Sequence, residues 1–347
     1  YGLVMKVILL GKGKMLANMI ESARDSGVEI AGVLRYERTI LKPFQLFWHD
    51  LFKTSHDLTL IKKYKLPEIK CRSANSEEFR EFVLKTNADI IMVGTWREKL
   101  ERKTFSMPKI GTVNLHPSLL PRYRGPNPYM QVILRGEKKS GITLHLMDEN
   151  LDTGAILLQK EIDIFTGDTG KELRERTFTA TREIASEFFR KIQSEVIIPI
   201  KQNESRATYF GNINESLKML DFKNKPAEEI YAIIRALHPW LPCYITIGKR
   251  FLQVNPYKVT ILSPQNATLT ETIFKNLTRS EETSAERVEL SGKPGEIIEK
   301  DYKTRSLTIM CKDGKALKME GLKLWGVFLK PYTKLFIKRL KTGAFAD

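Results

Sequence analysis

The chain has 347 residues, 42% of them apolar, and a formal net charge of +16. That length exceeds one core of ordinary size and the apolar content supplies two, so two domains are expected. No apolar run approaches the roughly 20 residues of a membrane helix, and Val4 to Leu10 is interrupted by Lys6 and runs into Gly11-Lys12-Gly13, which suits a buried first strand better than a signal peptide. Cys71, Cys243 and Cys311 lie far apart without C-x-x-C spacing, so a reducing, cytoplasmic setting is expected. The positive balance suits a polyanion such as nucleic acid; lysines spread along the whole chain equally suit a solvated surface.

In chain order, Lys6 to Leu10 predicts a strand, Gly11 to Gly13 a turn, and Met15 to Ser26 a helix stopped by Gly27. Strands are predicted over Val28 to Leu34, Ala88 to Val93, Gly111 to Leu115 and Gly141 to Met147, with helices over Glu77 to Thr86 and Thr169 to Ile192. That alternation predicts an α/β domain with a doubly wound, mostly parallel, Rossmann-like sheet. The first turn invites a dinucleotide-binding reading, but Leu16 stands at the third fingerprint position. A tight strand-to-helix turn is the simpler reading, and it leaves helix N-terminal amides free for an anionic group. Between Arg35 and Arg72, Tyr36, Phe44, Phe47, Trp48 and Phe52 stand among the basic Arg38, Lys42, Lys53, Lys62, Lys63, Lys65 and Lys70. Two readings fit: a loop that grips RNA by stacking and charge, or the buried face of an inserted helix.

The first domain is expected over residues 1–200, a polar linker over 201–222 and a second domain over 223–347. Pro226 to Leu237 predicts an amphipathic helix with Pro in its first turn. Short strands then recur at Tyr244 to Ile247, Phe251 to Val254, Val259 to Leu262, Gly295 to Lys300, Ser306 to Cys311 and Leu317 to Leu324, which suits a small C-terminal β-barrel of oligonucleotide-binding (OB) type. Gln265 to Gly292 is polar, with few core candidates, and predicts a long mobile loop.

Asn114 and His116 stand two apart at a strand end, so both project from one face. A proline-rich loop, Pro117 to Pro128, follows them. Asp152 leaves another strand through a polar turn, where Gly154 lets the backbone bend. An amide, an imidazole and a carboxylate are what acyl transfer to an amine requires: a donor for the oxyanion, a group to stabilise it or move a proton, and an acceptor for the amine's proton. His145 lies on the strand before the carboxylate turn, and either holds the site or is a packed strand residue. His116, His145 and Asp148 would be the candidate set for a metal, which the chemistry does not need; none is expected.

The stretches GTVNLHPSLLPRYRGPNP (111–128) and GITLHLMDENLDTGAIL (141–157) resemble the signature of the folate-dependent formyltransferase family. KPAEEIYAIIRALHPW (225–240) is similar to the segment opening the C-terminal domain of the family's methionyl-tRNA formyltransferases. The resemblance implies formyl transfer from 10-formyltetrahydrofolate to a primary amine, with Asn114, His116 and Asp152 as catalytic residues. It places the folate against Val93, Gly94, Thr95, Trp96, Leu100, Glu149, Asn150 and Leu151. The acceptor is expected near Gly11, Gly13, Ser118, Arg122, Arg124, Gly125 and His145. It also implies initiator Met-tRNA as partner, with an amino-sugar nucleotide or a catalytically silent RNA-binding protein as the alternatives. Two segments depart from the tRNA enzymes' pattern: GKGKML (11–16) stands in place of G-T-P-x-F-A, and GTWREKL (94–100) in place of an alanine, tyrosine and glycine run.

Overall fold

Runs of β-branched and leucine residues without alternation belong to strands covered on both faces, and β1 (Lys6–Gly11) is one, with Val7 to Leu10 fully buried. The computed structural model describes residues 4–52, 55–263, 290–326 and 330–346. The chain forms two compact units: residues 1–132, 137–164 and 172–212, and residues 133–136, 165–171 and 213–347.

In the first unit, β1 joins β2 (Glu29–Arg35), β3 (Ile90–Gly94), β4 (Gly111–His116), β5 (Lys139–Leu146) and β6 (Ile156–Asp163) in one sheet of order β2-β1-β3-β4-β5-β6. The first four strands of that order run parallel, as the alternation predicts, while β5 and β6 turn antiparallel. The reversal sets His145 of β5 directly opposite Asn114 of β4. β6 has no strand signature in the sequence, because its ILLQKEID run lacks clean alternation and carries the charges that edge strands use against further pairing.

Helices separate or follow these strands. They are α1 (Gly13–Asp25), α2 (Tyr36–Ile40), α3 (Pro43–Phe52), α4 (His56–Lys63), α5 (Glu77–Thr86), α6 (Arg102–Phe105), α7 (Pro128–Leu134) and α8 (Gly170–Ser194). α5 starts where the Ser76 hydroxyl accepts the Phe79 N–H and stops at Asn87 in the left-handed conformation. Its Phe79 and Val83, one turn apart, are buried with Ile8, Leu10, Leu34 and Ile91. α1 lies against β3, since a Cβ on Gly94 would come within 2.8 Å of the Met15 sulfur. It runs beside α8, where the Asn18 amide donates to the Phe178 carbonyl (2.6 Å) and the Ser22 hydroxyl to the Arg182 carbonyl (3.0 Å).

The aromatic segment is helical over α2 and α3, but its rings are not a buried face: Phe44 and Phe52 are 71% and 72% exposed, and α3 has no buried residue. The rings pack on each other instead, with Trp48 stacked on Phe52 at 5.2 Å and edge-on to Phe44 and Phe47. Beneath them the fully buried Arg35 donates to both Asp50 oxygens (2.9 and 2.6 Å) and to Glu68 (2.7 Å). Burial pulls that guanidinium's pKa down, but the two carboxylates outweigh it and hold the group above its ordinary value.

In the second unit, α9 (Ala227–Leu237) buries Ile230, Ile233, Ile234 and Leu237 at helical spacing. Two antiparallel sheets follow. β10 (Ile297–Asp301), β11 (Ser306–Met310), β12 (Ala316–Met319) and β9 (Val259–Leu262) form one; β13 (Lys323–Leu324), β8 (Arg250–Gln253) and β7 (Tyr244–Ile247) form the other. The run expected as one strand from Leu317 to Leu324 is cut at Gly321, where φ is +67°, and its two pieces enter different sheets. α10 (Lys330–Arg339) is fastened by its Thr333 hydroxyl, which accepts the Leu324 N–H. Of the loop expected over 265–292, residues 265–289 lie outside the described residues. Among the described residues no helix is long and apolar enough to cross a membrane.

Phe79→Ala should lower unfolding free energy by roughly 3–5 kcal/mol, because it empties a filled core site. Leu84→Ala, on the exposed side of the same helix, should change it by under about 0.5 kcal/mol. Denaturant titration of both variants checks the pair.

Candidate active site

The carboxyl end of β4 presents Asn114 and His116 on one face, and the loop after β5 returns Asp152 to them. His116 Nδ1 lies 3.4 Å from Asp152 Oδ1, and His145 Nε2 lies 3.8 Å from the same oxygen. The other carboxylate oxygen accepts the Gly125 N–H at 2.9 Å. All three predicted catalytic residues are therefore brought together, with His145 as a fourth.

The proton positions follow from the carbonyls nearby, since a carbonyl can only accept. His116 Nε2 is 2.8 Å from the Tyr123 carbonyl and so carries its proton, which leaves Nδ1 turned to Asp152. His145 Nδ1 is 2.7 Å from the Leu146 carbonyl and is likewise protonated. The bare Nε2 of His145 then accepts from the Asn114 amide nitrogen at 3.2 Å. Burial pushes the His145 pKa down to about 4, against the opposing pull of Asp152, so the ring is neutral near pH 7 and remains an acceptor. One Asn114 N–H is thereby fixed and the other is left to donate.

Asp152 holds its place at a cost in backbone conformation, with φ at +59°. Gly154 is required beside it, because a Cβ there would fall 1.8 Å from the Leu146 carbonyl oxygen. Asp148 Oδ1 accepts the Asn150 N–H (3.0 Å) and the Thr153 hydroxyl (2.6 Å), so it shapes the turn. Among the described residues no group of three or more His, Cys, Asp or Glu side chains is placed to hold a metal.

Residues 201–212, expected as part of a linker, instead belong to the first unit and line the site loop. The buried Gln202 amide donates to the Asp152 and Gly154 carbonyls (2.9 and 2.8 Å), and Thr208 accepts the Tyr123 N–H at its hydroxyl (2.8 Å). Polarity suggested a connector; here the polar side chains satisfy loop backbone that would otherwise be buried unpaired.

The predicted acceptor residues divide. Arg124 is buried and donates to Gln202 (2.8 Å) and Glu204 (2.7 Å), which makes it a brace for the Asp152 loop. The Ser118 hydroxyl is buried on the Arg122 carbonyl (2.9 Å), closing the proline loop, and Arg122 pairs with Glu137. Gly125 meets Asp152 through its backbone, as above, and a Cβ there would come within 2.4 Å of the Phe210 carbonyl oxygen. Gly11 pairs with Gly94 in the sheet, where a Cβ would lie 2.4 Å from the Gly94 oxygen. The amide of Gly13 is not free for an anionic ligand: Asp57 Oδ2 accepts it at 3.0 Å, so the chain's own carboxylate caps this helix end. Burial, with the nearby Asp57 charge, raises the pKa of Glu37 beside it.

The residues expected against folate lie at the carboxyl ends of β3 and β5. Val93 and Leu100 are core side chains, so only their backbone can face a ligand. The Thr95 hydroxyl donates to the Met15 sulfur at 3.2 Å. Trp96 sits edge-on to Tyr36 at 5.5 Å, and its buried indole N–H has no partner among the described residues. Asn150 and Leu151 are exposed, and Glu149 pairs with Arg102 at 2.9 Å.

Residues 5–188 match the formyl transferase family model and residues 212–326 match the model for the formyl transferase C-terminal domain. The methionyl-tRNA formyltransferase of Thermotoga maritima is 31% identical over 240 residues, covering 67% of this chain and 72% of that protein. That of Caldanaerobacter subterraneus is 36% identical over 180 residues, covering 52% and 58%. The solved N-formyltransferase of Helicobacter canadensis, described in complex with folinic acid and dTDP-3-aminofucose, shares the fold, with a TM-score of 0.60 at 20% identity over 91% of this chain and 99% of that one. The chain belongs to the formyl transferase family.

Proposed function

We propose that this protein moves a formyl group from 10-formyltetrahydrofolate to the amino group of methionine on initiator tRNA. The observation that carries the reading is the meeting of Asn114, His116 and Asp152, with one Asn114 N–H left to donate and His116 Nδ1 turned to the Asp152 carboxylate. The tRNA acceptor rests on the relatives named methionyl-tRNA formyltransferase and on the basic balance of the chain.

The folate, when bound, supplies an activated formyl carbon. The residues present fit it: the unpartnered buried indole N–H of Trp96 is a donor in need of an acceptor, and the backbone from Val93 leaves β3 beside Asn114. Attack by an amine places negative charge on the formyl oxygen and positive charge on nitrogen. Asn114 donates its free N–H to that oxygen. His116 Nδ1 takes the amine's proton, with Asp152 stabilising the imidazolium formed and Tyr123 keeping the Nε2 proton in place, and then returns that proton to the folate nitrogen as its bond to the formyl carbon breaks and tetrahydrofolate leaves. His145 acts through Asn114, by keeping its amide nitrogen turned the right way.

Cys71, Cys243 and Cys311 are free and buried, and burial raises all three thiol pKa values, to about 12 for Cys243 and Cys311. Inert thiols of this kind fit the cytoplasm, where we place the protein.

Asn114→Ala should cut kcat by about 100- to 1,000-fold, in line with loss of one oxyanion donor. Turnover within a factor of about three of the parent would remove that role. Offered charged initiator tRNA and amino-sugar nucleotides in parallel, the protein should formylate the tRNA, with KM rising roughly tenfold or more between about 50 and 200 mM salt. Formylation of the sugar nucleotide alone, with little salt dependence, would reassign the acceptor; no transfer to any amine would leave a silent RNA-binding protein.

A further inference from the structure

Outside the catalytic edge, the second unit contains a cavity of about 380 Å³ between the end of α9, the turn after β8 and the start of β13. That volume lies within the range of small-molecule sites, roughly 300–1,000 Å³. We propose that it is a binding site for one nucleoside 5′-monophosphate unit, supplied by an unpaired residue of RNA or by the free nucleotide.

Three kinds of surface meet in this cavity, and each matches one part of a nucleotide. Ile234, Leu241 and Val254 give an apolar floor, with Pro239, Pro242 and Pro256 fixing the chain around it. Tyr257 and His238 stand at its mouth with ring centroids 5.3 Å apart, edge to face, joined by a 3.2 Å hydrogen bond between the tyrosine hydroxyl and His238 Nε2. Tyr257 remains 56% exposed, and exposed aromatic rings are surfaces on which bases stack. Gln253 and Asn255 bring two side-chain amides to the lining. Asn255 Oδ1 accepts the Tyr257 N–H at 3.1 Å, its amide nitrogen lies 3.8 Å from where a Cβ on Gly321 would stand, and the Gln253 amide has no partner among the described residues. Such amides can read the hydrogen-bonding edge of a base.

The phosphate would meet lysine. Lys323 stands directly opposite Gln253 in the β13–β8 pair, and Lys258 reaches the same rim, its Cδ 3.4 Å from where a Cβ on Gly321 would lie. Neither ammonium is paired with a carboxylate among the described residues. An apolar ligand would leave the amides and lysines unused, and inorganic phosphate would leave the floor and rings unused. A nucleotide uses all three. The pocket itself stands apart from the formyl-transfer chemistry; its use on RNA rests on the tRNA reading above.

The full chain is titrated with AMP, CMP, GMP and UMP, with inorganic phosphate and ribose 5-phosphate as controls, and separately with a single-stranded hexaribonucleotide, by isothermal calorimetry and saturation-transfer NMR. At least one nucleotide should bind saturably, on the order of 1 mM or tighter. Lys323→Glu should weaken it about tenfold and Gln253→Ala about fivefold, while Lys249→Glu, the same charge change away from the lining, should leave it unchanged. Thermal unfolding of each variant confirms that it is folded. Competition between hexamer and mononucleotide assigns the site to RNA, and Lys323→Glu should then raise KM for tRNA with kcat preserved. Binding of mononucleotide without the hexamer assigns it to the free nucleotide. Absence of saturable binding, phosphate competing as well as the nucleotide, or equal binding by the parent, Lys323→Glu and Gln253→Ala would overturn the proposal. Nucleotide binding with no formylation of tRNA would leave the pocket standing and remove the acceptor assignment.

Discussion

The site depends on one carboxylate held in an unfavourable backbone conformation. Asp152 sits at a positive φ, on a turn whose next bend tolerates no side chain, and it faces two imidazoles from a mostly buried position. Left alone, such a turn would relax by moving the carboxylate toward water. Gly125 anchors one oxygen, Gln202 holds the backbone on either side of Thr153, and Arg124 with Glu204 holds Gln202. Because these partners come from the proline loop and from the stretch after α8, two separate parts of the first unit share the work of placing one side chain.

The two histidines near that carboxylate do different jobs, and burial separates them. His145 is buried on β5, where desolvation keeps it neutral even with an anion close by. Neutrality makes it an acceptor, and acceptance sets the rotation of the Asn114 amide. His116 keeps its far nitrogen on the Tyr123 carbonyl and turns the other to Asp152, so a proton arriving there meets a counter-charge already in position. Electrostatic preorganisation of this kind avoids reorganisation during the reaction.

Much of this arrangement was legible in the residues. Strand alternation put Asn114 and His116 on one face, and Gly154 marked the bend that returns Asp152. The parallel half of the sheet and the antiparallel C-terminal strands also followed from pattern. Other features were hidden, each for a physical reason. Gln202 lies in a polar run that reads as a connector, because sequence shows polarity but not the loop carbonyls it satisfies. The rings of α3 have the spacing of a buried face, yet they shield one another at the surface. Gly11 and Gly13 suggested an anion site, but Gly11 serves strand packing, and a carboxylate 44 residues further on reaches the Gly13 amide. Long-range partners of this sort leave no local mark.

The central claim is that a neutral His145 and a His116 protonated at Nε2 flank Asp152. With five histidines in the chain, ¹⁵N NMR of imidazole-labelled protein between pH 5 and 8 measures this directly. His145 should show a proton on Nδ1 and a bare Nε2 throughout that range, without titrating, and His116 should keep its Nε2 proton. A His145 that titrates near pH 6.5, or that carries its proton on Nε2, would contradict the account, since Asn114 would then have no acceptor to orient it.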